Sequence, residues 1–304
     1  MLRERRPDPL VLSAFLATVV IGGMNSIAVR ISLRELPPIW GAVFRFGIAT
    51  VVVAVVAIAL RKHLPRRGQL LPILGYGLLN FGLTYVFLYG GLRDAPAGTA
   101  AVITAVAPLL TLIFAVLERV ERFRLAALAG SLIAAAGIAV IFANQVSLNV
   151  PPIALLALVG AAACLAQTSV MVKRFPPGDP IVAVAFGIPI GGICLAVLSL
   201  AVGEHWFLPV RPETWIVNAY LVVFGTIIGF SLTLYVLARW TASANSYAFL
   251  LSPLVTVVAS AIILGEIVEP AFAVGGALVL LGVYVGAVMQ GRSDRRSKDL
   301  TASP

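Results

Sequence analysis

The chain consists of ten apolar runs that follow one another with only short polar breaks between them. A helix of about 20 apolar residues is long enough to cross the hydrocarbon core of a bilayer. Because lipid cannot satisfy backbone N–H and C=O groups, each run must pair these groups internally, as an α-helix does. The sequence therefore predicts an all-α membrane protein with ten transmembrane helices, at residues 9–29, 38–60, 70–91, 97–117, 124–143, 151–172, 180–202, 213–237, 242–264 and 270–290.

The composition excludes a soluble domain. Only 12% of the 304 residues are charged, whereas soluble domains carry about 25% charged residues. The net charge is +9, with Lys and Arg clustered between the apolar runs; nucleic-acid-binding proteins instead present basic residues on a polar surface. We therefore expect the lipid bilayer as a partner and no nucleic acid. Cys164 and Cys194 lie inside apolar runs, where a thiol packs as a small apolar group. No ligand pattern predicts a metal or another cofactor.

The placement of the basic residues predicts the orientation, because Lys and Arg accumulate in cytoplasmic connections. With a cytoplasmic N-terminus, 17 of the 22 Lys and Arg residues fall in cytoplasmic segments and four in outer ones, while Arg45 lies within a run. Both termini are therefore expected to be cytoplasmic. The first run is longer than the apolar region of a cleaved signal peptide, which has about 7–15 residues, so we interpret it as a retained helix.

The second half of the chain repeats the first. Shifts of 145 or 143 residues superpose like residues of the two halves, among them Ala97 on Ala242, Pro108 on Pro253, Glu121 on Glu266, Gly137 on Gly282 and Arg30 on Lys173. Because five helices per copy is an odd number, the second copy must enter the membrane from the opposite side. We therefore expect a 5+5 inverted repeat, with domains at residues 9–143 and 151–290 and a cytoplasmic tail at 291–304. Inverted repeats recur in transporters that bind substrate near the bilayer midplane.

Pro108 and Pro253 occupy matching places, about a dozen residues into the fourth and ninth runs. A proline cannot donate to the carbonyl one turn upstream, here that of Thr104 or Phe249. Such carbonyls are tolerated at membrane depth beside protein or a water-filled cavity. We expect kinks that line a central cavity, with a fixed packing kink as the alternative.

Glu121 and Glu266 lie at the ends of the same two helices. With one glutamate in each copy, the two are expected on opposite membrane faces. We interpret both as structural residues that cap helices or pair with basic residues near the headgroups.

Several phrases resemble the EamA family of the drug/metabolite transporter superfamily. They are "NSIAVRISLRELPPIWGAVFRFGIA", "PAGTAAVITAVAPLLTLIFAVLERVERF" and "GSLIAAAGIAVI" in the first half, and "ASANSYAFLLSPLVTVVASAIILGE" and "GGALVLLGVYVG" in the second. The resemblance implies two five-helix domains. Within the family the chain is similar to amino-acid exporters, the bacterial exporter of aromatic amino acids in particular. That group has aromatic residues near the proline of the fourth helix. Val106 and Ala107 precede Pro108 here, which favours a more permissive cavity.

Arg45 is the clearest charge within a run, and charges inside the membrane are costly and usually functional. It is interpreted either as a structural residue or as a contact for a substrate carboxylate or phosphate. No Asp or Glu lies deep in a run, so proton coupling has no obvious carrier, and a single Arg does not favour sugar phosphates. Amides and hydroxyls can bind an ammonium or a carboxylate without a fixed charge. The remaining substrate-binding candidates are therefore neutral, namely Asn25, Asn80, Tyr85, Thr104, Gln167, Asn245, Tyr247 and Ser252.

These features predict a secondary transporter and not an enzyme. It would export amino acids, aromatic and other neutral ones included, or similar small metabolites across a bacterial inner membrane by alternating access. Efflux of xenobiotics or nucleosides by the same fold is the alternative, and a membrane-embedded enzyme is a remote one, since no catalytic constellation lies in the runs. A monomer is expected, with a dimer as the alternative.

Overall fold

The computed structural model describes residues 8–146 and 149–288, and within these ranges it contains helices and no strand. Nine of the helices are long and apolar enough to cross a membrane. They are α1 (Pro9–Ser32), α2 (Pro38–Ala59), α3 (Arg67–Leu92), α4 (Ala97–Leu117), α6 (Pro152–Arg174), α7 (Pro180–Ala201), α8 (Pro212–Arg239), α9 (Ala242–Leu264) and α10 (Pro270–Ala287). The fifth helix in chain order, α5 (Leu125–Ile141), is apolar but shorter. The expected tail at 291–304 and the basic N-terminal residues lie outside the described residues.

Local sequence explains where most of the helices begin. Six of them start with proline at the first or second helical position, namely α1, α2, α6, α7, α8 and α10. Proline suits this position because its fixed φ is helical and its missing N–H would have had no partner. In α1 and α7 the preceding aspartate, Asp8 or Asp179, also accepts a hydrogen bond from the first turn, which is the usual N-cap arrangement.

The most extensive helix contacts take one helix from each half of the chain. They join α5 with α10, α2 with α7, α1 with α9, α3 with α6 and α3 with α7. Contacts between α4 and α6, α1 and α8, and α2 and α8 complete the pattern. Each helix of the first half has a counterpart five places later, so that α1 corresponds to α6 and α4 to α9. When every helix is replaced by its counterpart, the α1–α9 contact becomes α6–α4, α3–α6 becomes α8–α1, and α3–α7 becomes α8–α2, and all three of these contacts are present. The halves are therefore interleaved, and their packing is related by an approximate two-fold exchange.

Glycines bring α5 and α10 into backbone contact. A Cβ atom added at Gly282 would lie 2.5 Å from the backbone nitrogen of Ala134 and from the carbonyl oxygen of Gly130. A Cβ atom at Gly137 would lie 2.6 Å from the carbonyl oxygen of Gly275. Small residues permit this close approach between membrane helices, where van der Waals packing replaces the hydrophobic effect.

The two longest helices each contain a π-helical segment at matching places. The segments are Gly77–Leu83 in α3 and Leu221–Ile228 in α8. In each, a threonine hydroxyl donates to the carbonyl five residues earlier: Thr84 to Leu79 at 2.7 Å, and Thr226 to Leu221 at 2.8 Å. π-helical turns are frequent at functional sites, and no periodicity in the sequence had indicated them.

The helices that carry the matching prolines are both interrupted, but at different distances from the proline. In α4 the helical pieces Ala97–Thr104 and Ala107–Leu117 meet just before Pro108. In α9 the pieces Ala242–Ser246 and Ala248–Leu264 meet at Tyr247, and Pro253 lies inside the second piece. The break in α9 therefore lies at Tyr247, whose side chain is fully buried, and not at Pro253.

Contacts between the connections define two ends of the bundle. The connections at residues 60–66, 118–124, 175–179 and 240–241 meet at one end, which we call the basic face because it is rich in Lys and Arg. The connections at 33–37, 93–96, 142–146, 202–211 and 265–269 meet at the other end. We call this end the tryptophan face after Trp40, Trp206 and Trp215. Tryptophans concentrate at membrane–water interfaces.

We predict that the variant Gly282→Ala is less stable than the wild type by about 1–3 kcal/mol, the usual cost of overpacking. The added methyl group meets backbone atoms of α5 that cannot move without shifting the helix. Thermal unfolding in detergent measures the difference. The matched control is Gly47→Ala in α2, where an added Cβ meets nothing within 4 Å. Equal midpoints for the two variants would contradict this account of the α5–α10 contact.

Candidate functional site

Three ties across the halves hold the basic face together. Lys62 Nζ pairs with Asp179 Oδ2 at 2.6 Å. Glu118, at the end of α4, accepts hydrogen bonds from Gln167 Nε2 at 2.6 Å and from Arg174 Nη1 at 3.3 Å. Each tie joins a residue of the first half to one of the second. The third tie is made by Glu121, which holds the end of α4 against the start of α9.

Glu121 caps the start of α9. Its Oε1 accepts from the backbone N–H of Ala242 at 2.6 Å and of Ser243 at 3.2 Å, and its Oε2 accepts from Ser243 Oγ at 2.6 Å. A carboxylate is favourable there because the first amides of a helix have no partner within it. Glu266, at the opposite end of α9, pairs instead with Arg30 at 2.6 Å. The expectation of capping or pairing on opposite faces is confirmed for both glutamates.

At the tryptophan face, Glu204 caps the start of α2. Its two carboxylate oxygens accept from the backbone N–H of Ile39 at 3.1 Å and of Trp40 at 2.6 Å. The Trp40 ring stacks on Trp206 with centroids 4.5 Å apart, and its Nε1 donates to Phe207 O at 2.8 Å. The connection between α7 and α8 is thereby fixed to α2.

Glu35 makes the reciprocal contact with the start of α8. It accepts from the backbone N–H of Val210 at 2.6 Å and of Arg211 at 3.2 Å. A hydrogen bond from the Thr214 side chain lowers the pKa of Glu35 by more than burial raises it. The two backbone hydrogen bonds and the charge of Arg211 lower it further, so the pKa lies below its usual value. The carboxylate is therefore fixed in its charged form at neutral pH.

Arg45 of α2 is a buried cation, with only 5% of its surface exposed. Its Nη2 donates to Tyr85 Oη at 3.0 Å, and its guanidinium carbon lies 4.6 Å from the ring centre of Phe46 and 5.6 Å from that of Tyr85. Its Nε has no hydrogen-bond partner, and no carboxylate pairs with it in the part of the chain that the structure describes. The aromatic faces offset only part of the cost of burial.

A small gap adjoins this arginine. It has a volume of about 10 Å³, which is room for about one water molecule. It is lined by Arg45, Tyr89, Ser32 at the end of α1 and Leu33 in the α1–α2 turn, among others. A wider groove of about 250 Å³ lies between α3 and α6. Its walls are formed by Phe87, Gly90, Ile153, Ala154, Leu156 and Ala157. That groove offers no charged or hydrogen-bonding side chain, so the chemistry favours the arginine site over the larger volume.

Aromatic rings surround Arg45 and link three helices. Phe46 meets Phe81 with centroids 5.5 Å apart and Tyr85 at 5.3 Å, and Phe81 meets Phe230 of α8 at 4.6 Å. We call Arg45, Phe46, Phe81, Tyr85, Tyr89 and Phe230 the arginine–aromatic cluster. Aromatic residues, which are absent just before Pro108, therefore gather instead on α2, α3 and α8. Nothing local in the sequence indicates that these helices come together.

Two of the predicted site residues lie at helix contacts toward the middle of the bundle. Asn25 Nδ2 donates to Gly225 O in the π-helical segment of α8 at 3.4 Å, and its Oδ1 is buried without a partner. Ser252 Oγ donates to Val19 O of α1 at 3.3 Å and to Ala248 O at 2.9 Å. Asn25 keeps an unused acceptor, whereas Ser252 is engaged between α1 and α9.

Gln167 and Asn245 lie near the basic face. Gln167 is bound to Glu118, as described above, and Asn245 is 2% exposed within the first piece of α9, with its Oδ1 unpaired. Asn25 and Gln167 occupy similar places in α1 and α6, but their partners lie on α8 and α4, and the structure does not bring the two side chains together.

The other predicted residues differ in whether their polar atoms already have hydrogen-bond partners. Tyr247 is fully buried, and its hydroxyl donates to Ala127 O at 3.1 Å in α5. Thr104 donates to Ala100 O at 2.8 Å within its own helix. Asn80, in the π-helical segment of α3, is 7% exposed with its Nδ2 unpaired. Pro108 is buried and Pro253 is half-buried.

Sequence reasoning missed the carboxylates that tie the halves together, namely Glu35, Glu118, Asp179 and Glu204. Asp179 had a local signal, since an aspartate directly before a proline is typical of a helix start. The other three act on helices far along the chain, so nothing nearby in the sequence indicates their partners.

Residues 8–146 and 149–288 form an all-helical bundle with nine membrane-length helices and interleaved halves, which defines a multi-pass membrane protein. Residues 9–143 and 152–287 match the EamA-like transporter family, and the chain belongs to this family. The resemblance to the EamA family is confirmed. A solved crystal structure has the same fold, with a TM-score of 0.79 at 20% sequence identity, covering 94% of this chain and 99% of that one.

Relatives of similar length come from bacteria and archaea. An "Uncharacterized transporter" of Archaeoglobus fulgidus is 29% identical over 88% of this chain and 95% of its own. A "Probable amino-acid metabolite efflux pump" of Salmonella typhimurium is 27% identical over 89% and 92%. A "Probable terminal-alkyne amino-acid exporter" of Streptantibioticus cattleyicolor is 28% identical over 90% and 91%. The family and the names of these relatives indicate transporters and not enzymes.

We predict that the Lys62–Asp179 tie weakens in acid. Burial raises the pKa of Asp179, but the hydrogen bond from Lys62 and those from two backbone amides lower it by more, so the pKa lies below its usual value. A lowered pKa means that the stabilisation is present above the unfolded-state value and is lost as the pH falls through the folded-state value. The pair is partly exposed, so it contributes at most about 1 kcal/mol.

The measurement compares thermal unfolding of the wild type and Asp179→Asn in detergent at neutral pH and at about pH 3. Asparagine can still cap α7, so the variant isolates the charge. We expect the wild type to be more stable at neutral pH and the difference to narrow as the pH falls, because the folded-state charge is lost through a lowered pKa. A difference that stays the same at both pH values would show that the carboxylate does not contribute through its charge.

Proposed function

We propose that this protein is a secondary transporter that exports amino acids or similar small metabolites across a bacterial inner membrane by alternating access. The single observation that carries the substrate class is the buried guanidinium of Arg45, which has an unpaired Nε and no carboxylate partner among residues 8–146 and 149–288. A cation inside a membrane protein is costly unless an anion or a cavity accompanies it. A substrate carboxylate would supply that anion.

The surroundings of Arg45 favour an amino acid over a polyanion. One guanidinium can bind one carboxylate in bidentate geometry, whereas a sugar phosphate would need further positive charge. The hydroxyls of Tyr85 and Tyr89 are nearby and neutral. The aromatic faces of the arginine–aromatic cluster can attract an ammonium group by about 0.5–2 kcal/mol and can pack against an apolar or aromatic side chain.

The names of relatives support the same class. One relative is named as a probable efflux pump for amino-acid metabolites, and another as a probable exporter of a terminal-alkyne amino acid. In this chain Asn25 and Asn80, each with a buried polar atom that lacks a partner, are our candidates for further substrate contacts. Gln167, Asn245, Tyr247, Ser252 and Thr104 would then act in closing or supporting the site.

We further propose ten spans, with both termini in the cytoplasm. The α5 helix has 17 residues, about 26 Å at 1.5 Å per residue, which is slightly less than the hydrocarbon thickness. Its preceding connection reaches the basic face through Glu121, and the following one reaches the tryptophan face through Asn144, which donates to Glu269 at 2.8 Å. The α5 helix therefore runs between the two ends, and the basic face becomes the cytoplasmic side by the positive-inside rule.

We also propose that the chain divides into two five-helix domains, at 9–143 and 151–290, and a cytoplasmic tail at 291–304. The family matches at 9–143 and 152–287 support it, as does the exchange symmetry of the helix contacts. Two five-helix units of opposite orientation would surround a site that faces first one side and then the other, as in other inverted-repeat transporters.

The test is uptake of labelled neutral amino acids into proteoliposomes, with leucinamide and a nucleoside as unlabelled competitors. We expect saturable uptake that leucine inhibits and leucinamide does not, because the amide lacks the carboxylate that Arg45 would bind. Arg45→Gln is expected to reduce uptake at low substrate concentration at least about tenfold, since a hydrogen-bonded charge is worth about 1.5–3 kcal/mol.

The matched control is Arg34→Gln, which removes an exposed charge at the tryptophan face and is expected to leave uptake unchanged. Thermal unfolding in detergent checks that both variants are folded. Uptake that a nucleoside blocks and amino acids do not would replace the amino-acid proposal with nucleoside export. Equal inhibition by leucine and leucinamide would contradict the role of Arg45.

A second variant separates positioning from charge. Tyr85→Phe keeps the ring but removes the oxygen that accepts from Arg45 Nη2. We expect KM to rise about three- to tenfold, the worth of one hydrogen bond, while the maximal rate changes little. An unchanged KM would mean that Tyr85 does not orient the guanidinium toward the substrate.

A further inference from the structure

The α4 and α9 helices occupy equivalent places in the two halves, yet they meet at one end only. The first piece of α9, Ala242–Ser246, packs against the second piece of α4, Ala107–Leu117. No comparably extensive contact joins the first piece of α4, Ala97–Thr104, to the second piece of α9, Ala248–Leu264, both of which the structure describes throughout. The two helices are therefore together at the basic face and apart at the tryptophan face.

The same asymmetry appears in the two glutamates. Glu121 caps the first amides of α9, as described above. A shift of 145 residues places Glu121 on Glu266, Ala242 on Ala97 and Ser243 on Gly98. The equivalent contact would thus be Glu266 against the first amides of α4. Instead Glu266 is bound to Arg30, in an ion pair whose side chains are 41% and 61% exposed.

The cation has an equivalent as well. A shift of 143 residues places Arg30 on Lys173, and Lys173 interacts electrostatically with Glu121. Each half therefore supplies a glutamate that faces a basic residue of the other half. Glu121 also caps the start of α9, whereas Glu266 is bound to Arg30.

We propose that Glu121 and Glu266 form a reciprocal latch between two states of the protein, an inference that rests on the alternating-access function proposed above. In the state of this structure, Glu121 holds the start of α9 and closes the basic face, while Glu266 is held by Arg30. In the opposite state Glu266 holds the start of α4 and closes the tryptophan face, while Glu121 releases the start of α9 and is held by Lys173 alone. Only one of the two caps is made at a time.

The contacts of α2 and α7 explain why the latch lies on α4 and α9. The ends of α2 and α7 are tied at both faces in the same structure, through Glu204 at one end and through Lys62 with Asp179 at the other. This pair can serve as a frame in both states. The α4–α9 pair is tied at one face only, so its ends can exchange.

The experiment measures distances between spin labels in the full-length protein in lipid nanodiscs without substrate. Labels at Asp94→Cys and Ile267→Cys report on the tryptophan face, and labels at Arg122→Cys and Ala238→Cys report on the basic face; all four positions are exposed. Cys164 and Cys194 are replaced by alanine. Each pair is measured in the parent, in Glu121→Gln, in Glu266→Gln and in Arg30→Gln.

Glu121→Gln is expected to shift the ratio of the two states about fivefold toward the state closed at the tryptophan face, because a neutral amide accepts weaker hydrogen bonds than a carboxylate. Glu266→Gln is expected to shift it about fivefold the other way. The cap that Glu266 would lose in the opposite state is stronger than the exposed ion pair that it loses here. Arg30→Gln is the matched control, because it removes the same ion pair and leaves the cap made by Glu266 intact. It is therefore not expected to shift the ratio of the two states as Glu266→Gln does.

Two results would overturn the latch. If Glu266→Gln and Arg30→Gln shift the ratio alike, Glu266 acts only through its ion pair, and the transport proposal is unaffected. If every variant shows one narrow distance at both faces, neither the latch nor alternating access describes this protein. Amino-acid uptake measured on the parent in parallel separates these cases, since it depends on transport and not on the identity of the latch residues.

Discussion

The packing of one half of the chain against the other is the constraint on which the rest of the structure depends. In lipid, helices gain nothing from hiding apolar side chains, so association relies on close van der Waals contact. The α5–α10 contact achieves it by bringing backbone atoms together at glycines. Because the extensive contacts cross between the halves, neither half retains its packing surfaces without the other, and the five-helix unit is a repeat of sequence more than an independent body.

Carboxylates at the helix ends fix how these interleaved helices are held. At the tryptophan face Glu204 binds the first amides of α2, and Glu35 binds the two amides just before α8. Glu121 binds the first amides of α9 at the basic face. Helix starts offer unpaired amides and a positive dipole end, so a glutamate from the opposite half is a directional clamp. The pattern of clamps distinguishes a frame, α2 with α7, from a pair tied at one end, α4 with α9.

The arginine–aromatic cluster lies where the frame meets the π-helical segment of α3. A membrane-buried guanidinium is costly, and here a tyrosine hydroxyl and two aromatic faces offset part of that cost while one donor stays unpaired. The sequence left the structural and the substrate-contact interpretations open, and this unpaired donor is the observation on which our proposal of a substrate contact rests.

The sequence by itself determined the helical class, nearly all the helix boundaries and the repeat, because length, hydropathy and proline at helix starts are local properties. It also placed Glu121 and Glu266 correctly as end residues, since a glutamate after an apolar run can only lie near the headgroups. It did not determine which helices touch, where the π-helical segments lie, or that Phe81 contacts both Phe46, the neighbour of Arg45, and Phe230. Only the tertiary structure decided these, because they depend on contacts between separate helices, most of which join one half to the other.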